Sequence, residues 1–434
     1  MEGNEMRICI KQGRILDPAS GRDQIADLLL EDNRIIKIES DIREGVDRVI
    51  DAEGCYVMPG LIDLHVHFRE PGYEYKETIA TGSHAAARGG FTGVCPMANT
   101  NPVIDSPEMV SFLLDKAKQD SVVRIYPIGA ATLGLQGETV TDMEGMQKAG
   151  VMAISEDGKT VMDAKVYRDA LREAARLGLV VMDHCEDANL LKGGAMHAGE
   201  RAEQMGVQGI SHAVEDVIVA RDILLAKETG AHLHLCHCST AGSIRMAKLA
   251  KEDGIPVTSE VCPHHFTLTC NEIPNRNAFY KMAPPLRDAA DVQAMKEGLR
   301  DGIIDTISTD HAPHSLAEKT AEFALCANGI VGLETAVPLT ITELVEPGWI
   351  TPLQMAEKMS WNPAKILGID VGRLEESGIA DITIIDPGAE YKIDSSTFVS
   401  KGRNTPFHGR PVRGKVLYTI VDGKIVYEGK NTHD

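Results

Sequence analysis

The chain has 434 residues, 43% hydrophobic and 25% charged, with a formal net charge of -20. That length suits one large catalytic unit plus a smaller satellite, and the acidity excludes broad electrostatic attraction to nucleic acid or an anionic membrane. No run of about 18 apolar residues occurs, Met1–Glu5 lacks the basic and apolar regions of a secretory leader, and nine cysteines, odd in number and mostly within apolar runs, favour buried free thiols in a reducing, cytoplasmic setting.

In chain order, residues 1–58 read as short strands and turns, with strands over 7–11, 25–30 and 34–38 and a hairpin turn at Glu31-Asp32-Asn33. The other end has the same texture. Ala380-Asp381-Ile382-Thr383-Ile384-Ile385 is strand-like, and 415–421 joins 424–427 through Asp422-Gly423. These edges predict one small β-sandwich domain assembled from 1–58 and 369–434 around a catalytic middle, 59–368.

The middle repeats a different unit, in which a short apolar strand ends in a polar or reactive residue and a helical segment follows. Strands are expected over 57–67, 91–97, 123–130, 151–155, 180–184, 232–237, 256–261 and 305–309, with helices over 106–118, 164–177, 214–229 and 243–252. Eight units over this length match an α/β fold of the (β/α)8 type. A doubly wound sheet would not gather polar residues from so many strand ends.

Those ends carry the chemistry. His65 and His67 close the first strand, Asn99 follows the second and Asp157 the fourth; His184 ends the fifth, His237 the sixth, and Asp310 follows the eighth. In a closed barrel all of them open onto one mouth. Period two places His65, His67 and Arg69 on one strand face. His65, His67, Asp157, His184, His237 and Asp310 form a ligand set for two divalent ions, with zinc leading and manganese or cobalt also suited. Asp310 would bind one metal while taking a proton from water and returning it to a departing nitrogen. Arg69, Asn99 and His314 offer charge and directional hydrogen bonds to a small substrate bearing a carboxylate. Cys236-His237-Cys238 fits no usual zinc knuckle and reads as buried thiols around a ligand histidine.

Four motifs carry a resemblance over nearly the whole chain. They are Asp63-Leu64-His65-Val66-His67-Phe68-Arg69-Glu70-Pro71-Gly72, Met97-Ala98-Asn99-Thr100-Asn101-Pro102, Lys281-Met282-Ala283-Pro284-Pro285-Leu286-Arg287 and Ser308-Thr309-Asp310-His311-Ala312-Pro313-His314. With them the chain resembles the class I dihydroorotases of the amidohydrolase superfamily. The resemblance implies a metallo-dependent hydrolase barrel in which His65, His67 and Asp310 hold the more buried metal and His184 and His237 the second. Many relatives bridge the ions with a carboxylated lysine. The matching segment here is Ile154-Ser155-Glu156-Asp157-Gly158, which implies the aspartate-bridged subgroup, with Asp157 preferred over Glu156.

The implied reaction interconverts N-carbamoyl-L-aspartate and L-dihydroorotate plus water in pyrimidine biosynthesis, with Arg69, Asn99 and His314 around the substrate carboxylate. Two departures bear on the substrate set. Ala283 stands where relatives usually have asparagine, and Asn328-Gly329 stands where many have Phe-Gly, so a polar contact is lost at 283 and a backbone contact is expected at 328–329. The competing enzyme class is the hydantoinase, dihydropyrimidinase or allantoinase type, which Arg69 discriminates against. A non-catalytic scaffold for aspartate transcarbamoylase is disfavoured by the complete ligand set. A homodimer, or an active complex with that transcarbamoylase, is compatible with the resemblance. Segments 138–143 and 315–326 are expected at the barrel mouth, the latter as a short helix over substrate.

Overall fold

The computed structural model describes residues 6–320 and 322–429, so the leader-free reading of Met1–Glu5 concerns residues outside that set. Both ends of the chain meet in one mixed, eight-stranded sheet. Arg7–Asp17, Arg22–Glu31, Arg34–Glu39, Arg48–Asp51 and Tyr56–Pro59 join Ile382–Lys392, Pro411–Val421 and Lys424–Glu428. The seam is an antiparallel pairing of Tyr56–Pro59 with Ile382–Lys392, with Val57 opposite Ile384. Ile8, Ile10, Leu28, Ile382 and Ile420 bury one face in a shared core, as period-two alternation requires. Asp422 (φ 49) and Gly423 (φ 69) take the left-handed conformations that a two-residue hairpin turn needs.

The middle forms the barrel. Its strands are Leu61–Val66, Phe91–Pro96, Arg124–Ile125 continued by Ile128–Ala130, Ala153–Ser155, Val180–Asp183, Leu233–Leu235, Val257–Val261 and Thr306–Ile307. All pair in parallel in sequence order, and a parallel bridge from Val66 to His311 closes the ring. Helices cover the outside, among them Pro107–Asp120, Ala164–Leu177, Ala213–Thr229 and Ala241–Glu252. Their ends follow local chemistry. Asp163 accepts from the Lys165 and Val166 N–H groups at one helix start, and Gly178 (φ 69) ends the same helix.

The run expected as one strand over 57–67 is two. Tyr56–Pro59 belongs to the terminal sheet and Leu61–Val66 opens the barrel. The chain changes sheets at Gly60, where a Cβ would fall 2.1 Å from Thr92 Oγ1. Segment 315–326 also differs from expectation. Its described residues hold one 3-10 turn, Ala317–Lys319, while Ala321 lies outside the described set. Among the described residues, no helix is long and apolar enough to cross a membrane, and all nine cysteines are free and buried.

Candidate active site

The C-terminal strand ends open onto a cavity of about 250 Å³. His67, Arg69, Asn99, Asp157, His184, His237, Asp310, His314, Asn328 and Gly329 all line it, while His65 lies fully buried beneath. These candidates therefore reach one place. Arg69 arrives by a different route from strand alternation. The strand ends at Val66, and Arg69 (φ 64) turns into the cavity through the left-handed region. His237 (φ 32) and Asp310 (φ 48) do the same. Such backbone costs about 1–3 kcal/mol per residue and persists only where surrounding structure enforces it.

Asp157 sits at the centre of one wall. Its Oδ1 is 3.1 Å from His65 Nε2 and 3.5 Å from both His184 Nδ1 and His237 Nε2, and its Oδ2 is 3.4 Å from His67 Nε2. Asp310 Oδ1 stands 3.0 Å from His67 Nε2 and 3.8 Å from His65 Nε2. His184 Nδ1 and His237 Nε2 face each other at 3.0 Å. Glu156, the competitor for the bridging position, points away and binds Thr132.

These groups fit divalent metal. His65 Nε2 and Asp157 Oδ1 are buried and close, yet neither has a partner in hydrogen-bonding geometry. Donors of His65, His67 and Asp310, and of His65, Asp157 and His237, converge within 4.8 Å. Their outer atoms are anchored as metal-bound imidazoles require. His65 Nδ1 meets Glu260 Oε1 at 2.9 Å, His67 Nδ1 meets Asn99 Oδ1 at 3.0 Å, and His184 Nε2 meets Glu186 Oε2 at 2.8 Å. Burial disfavours charge on Asp157, but His65, His184 and His237 outweigh it and hold the carboxyl well below its usual range. Asp310 is likewise pulled down to about 2, against burial, chiefly by His67 and His65. Both carboxylates are therefore ionised and ready for a cation.

The opposite wall is cationic and looser. Arg69 Nε donates to Pro313 O at 3.3 Å, and its Nη2 lies 3.4 Å from His314 Nε2. His314 Nε2 also meets Asn328 O at 2.7 Å. Burial and the neighbouring Arg69 lower the His314 pKa to about 3, so the ring is neutral. Ala283 lines the cavity without a polar group. Asn328 contributes its carbonyl to His314, and the Gly329 N–H donates to Lys281 O at 3.0 Å.

A Dihydro-orotase-like family model matches residues 54–243. The dihydroorotase of Pelotomaculum thermopropionicum is 49% identical over 98% of this chain and 99% of its own length. That of Syntrophus aciditrophicus is 46% identical over 98% and 100%. The chain belongs to the dihydroorotase family. Among solved structures, the L-hydantoinase of Arthrobacter aurescens superimposes with a TM-score of 0.89 at 26% identity, covering 99% of this chain and 97% of that one. A dihydropyrimidinase from Brevibacillus agri gives 0.86 at 24%, covering 98% and 96%. The amidohydrolase barrel with its terminal mixed sheet is thus shared with the wider cyclic-amide hydrolases, while sequence identity separates the dihydroorotases from them.

Three residues of this family member escape sequence reading. Glu260 is fully buried and accepts from His65 Nδ1, from His234 Nε2 at 3.2 Å and from the His237 N–H at 3.2 Å. Its signal is a lone charged residue inside the buried strand Val257–Val261. Glu186 follows His184 by two residues and steers it. Lys319, in the segment expected to be a lid, is buried rather than solvated.

Proposed function

We propose that the cavity interconverts L-dihydroorotate plus water with N-carbamoyl-L-aspartate, using two divalent ions, zinc foremost, between His65, His67 and Asp310 on one side and His184 and His237 on the other, with Asp157 shared. When bound, such ions supply Lewis acidity to a carbonyl oxygen and acidify water. The supporting observation is the division of one cavity into a wall of anionic and imidazole donors and a wall carrying Arg69. A ring with an amide at one end and a carboxylate at the other matches that polarity.

Asp310 performs the proton transfers. Its Oδ1 lies 3.0 Å from His67 Nε2, among the metal donors, which leaves Oδ2 to receive the proton of the attacking water during ring opening and pass it to the departing amide nitrogen. In cyclisation the same atom protonates the departing hydroxyl. Arg69 and His314 orient the substrate carboxylate, and Asn99 keeps His67 in the tautomer whose Nε2 faces the centre. The buried free thiols support a reducing, cytoplasmic setting for this chemistry.

The test compares kcat/KM for ring opening of L-dihydroorotate and dihydrouracil, using zinc-loaded protein of known metal content. Preference for dihydroorotate by at least about 10²-fold is expected, because dihydrouracil leaves Arg69 unpaired. Equal values would move the chain to the hydantoinase and dihydropyrimidinase side of the superfamily.

A further inference from the structure

Behind the Arg69 wall lie two more cations. Lys281 and Lys319 are 6% and 3% exposed. Lys319 Nζ donates to Lys281 O at 3.0 Å, Ala327 O at 2.7 Å and Gly329 O at 3.0 Å. Lys281 Nζ donates to Ala324 O at 2.9 Å and Cys326 O at 2.8 Å. Neither ammonium is paired with a carboxylate among the described residues, and the nearby Glu318 instead pairs with Lys76 at 2.7 Å. Carbonyl contacts satisfy the donors but leave the charge uncancelled. If the lysines served only to hold the 324–329 loop, neutral donors would do so without burying two like charges.

We infer that Lys281 and Lys319 are positioning residues for the substrate carboxylate: Lys281 draws the carbonyls of Ala324 and Cys326, and Lys319 those of Ala327 and Gly329, away from the cavity, which leaves that wall positive toward an anionic ring substituent. The inference rests on the dihydroorotase reading above. Gly329 lines the cavity, and its carbonyl accepts from Lys319 Nζ and from Asn404 Nδ2 at 3.1 Å. Its φ of 117 and a virtual Cβ 2.5 Å from the Ala312 Cβ confine the position to glycine, so the loop packs directly against the site. The charge of Lys319 also reaches that wall, since it helps keep His314 neutral, after burial, Arg69 and Lys76. Burial lowers Lys319 to about 8, with Cys326 opposing and Lys281 adding to the fall, so the ammonium stays charged at neutral pH.

The experiment uses the full, metal-loaded chain as wild type, Lys319→Met and Lys281→Met, and measures Kd for orotate and for its neutral methyl ester beside the kinetics of dihydroorotate opening. Removing either charge should weaken orotate by about tenfold or more, leave the ester within about threefold, and raise KM while kcat changes by less than about threefold. Equal weakening of both ligands, or a fall in kcat with KM unchanged, would assign the lysines to loop structure alone and overturn the inference. Lys281→Met decides the case if Lys319→Met does not fold. Wild type that neither opens dihydroorotate nor binds orotate would overturn the substrate reading itself, an outcome distinct from a wild type that binds orotate and variants that bind it equally well.

Discussion

On the metal side of the cavity, histidines leave strand ends and are steered by other side chains: Glu260 for His65, Asn99 for His67 and Glu186 for His184. On the substrate side, the groups sit on loops and are held through backbone carbonyls: Pro313 O for Arg69, Asn328 O for His314, and Ala327 O and Gly329 O for Lys319. The first construction fixes donors rigidly, because strands and paired side chains leave little freedom. The second allows specificity to change by altering loop geometry while the barrel stays the same. The shared barrel of hydantoinases and dihydropyrimidinases at about a quarter identity accords with that division.

The largest effect should come from separating chemistry from binding. Asp310→Asn keeps the shape of the side chain but removes its basicity, so kcat for ring opening should fall by about 10²–10⁴-fold. Orotate affinity should stay within about threefold, because the carboxylate wall is untouched. Measuring kcat, orotate Kd and metal content on one preparation checks both halves. Loss of orotate binding alongside kcat would show that the two walls are not separable.

A smaller effect is expected one layer out. Glu260→Gln retains the volume but places an amide against three donors, so His65 loses its anchor. Metal affinity by chelator competition should drop about 10–100-fold, while fully loaded enzyme keeps its KM for dihydroorotate. A raised KM with unchanged metal affinity would mean that Glu260 shapes the substrate wall instead, against the contrast drawn here.

The same contrast explains what was legible in the sequence. His65, His67, His184, His237, Asp157 and Asp310 could be found because each sits at or just after a strand end, and strand ends in a barrel share one mouth. The terminal sheet was legible from two stretches of like texture, and its closing turn from Asp422-Gly423. Gly60 was not legible as the change of sheet, because an apolar run reads through it and the crowding comes from Thr92, distant in sequence. Arg69 was expected at the mouth through strand alternation but reaches the cavity through a left-handed residue, which alternation does not foresee. Lys319 carried no signal in the sequence, because its partners are carbonyl oxygens, which every residue carries and no motif records.

The smallest effect sharpens the claim about buried cations by way of a third lysine. Lys358 is 3% exposed, donates to Ile304 O at 2.7 Å, and is lowered by burial to about 8, like Lys319. It differs in its surroundings: Asp305 and Glu357 raise its pKa, and its carbonyl partner belongs to Ile304, which does not line the cavity, whereas Lys319 holds the carbonyl of the cavity-lining Gly329. Lys358→Met should therefore leave orotate binding and KM unchanged and act on stability alone. Below pH 8 the wild-type lysine is charged both folded and unfolded, and the folded state bears the whole penalty, on the order of 3 kcal/mol. Between pH 8 and 10.5 the folded lysine is neutral while the unfolded one still holds its proton, so wild-type stability rises with pH as that penalty fades. Methionine has no penalty to lose but leaves the Ile304 carbonyl without this donor, at about 1 kcal/mol. The variant should exceed wild type in thermal midpoint at pH 7 and lose that advantage by pH 10, with the Lys319 titration common to both proteins. Calorimetry at the two pH values reads the difference. An orotate defect in Lys358→Met would show that burying any lysine charge in this fold affects the cavity, and the special standing of Lys281 and Lys319 would fall with it.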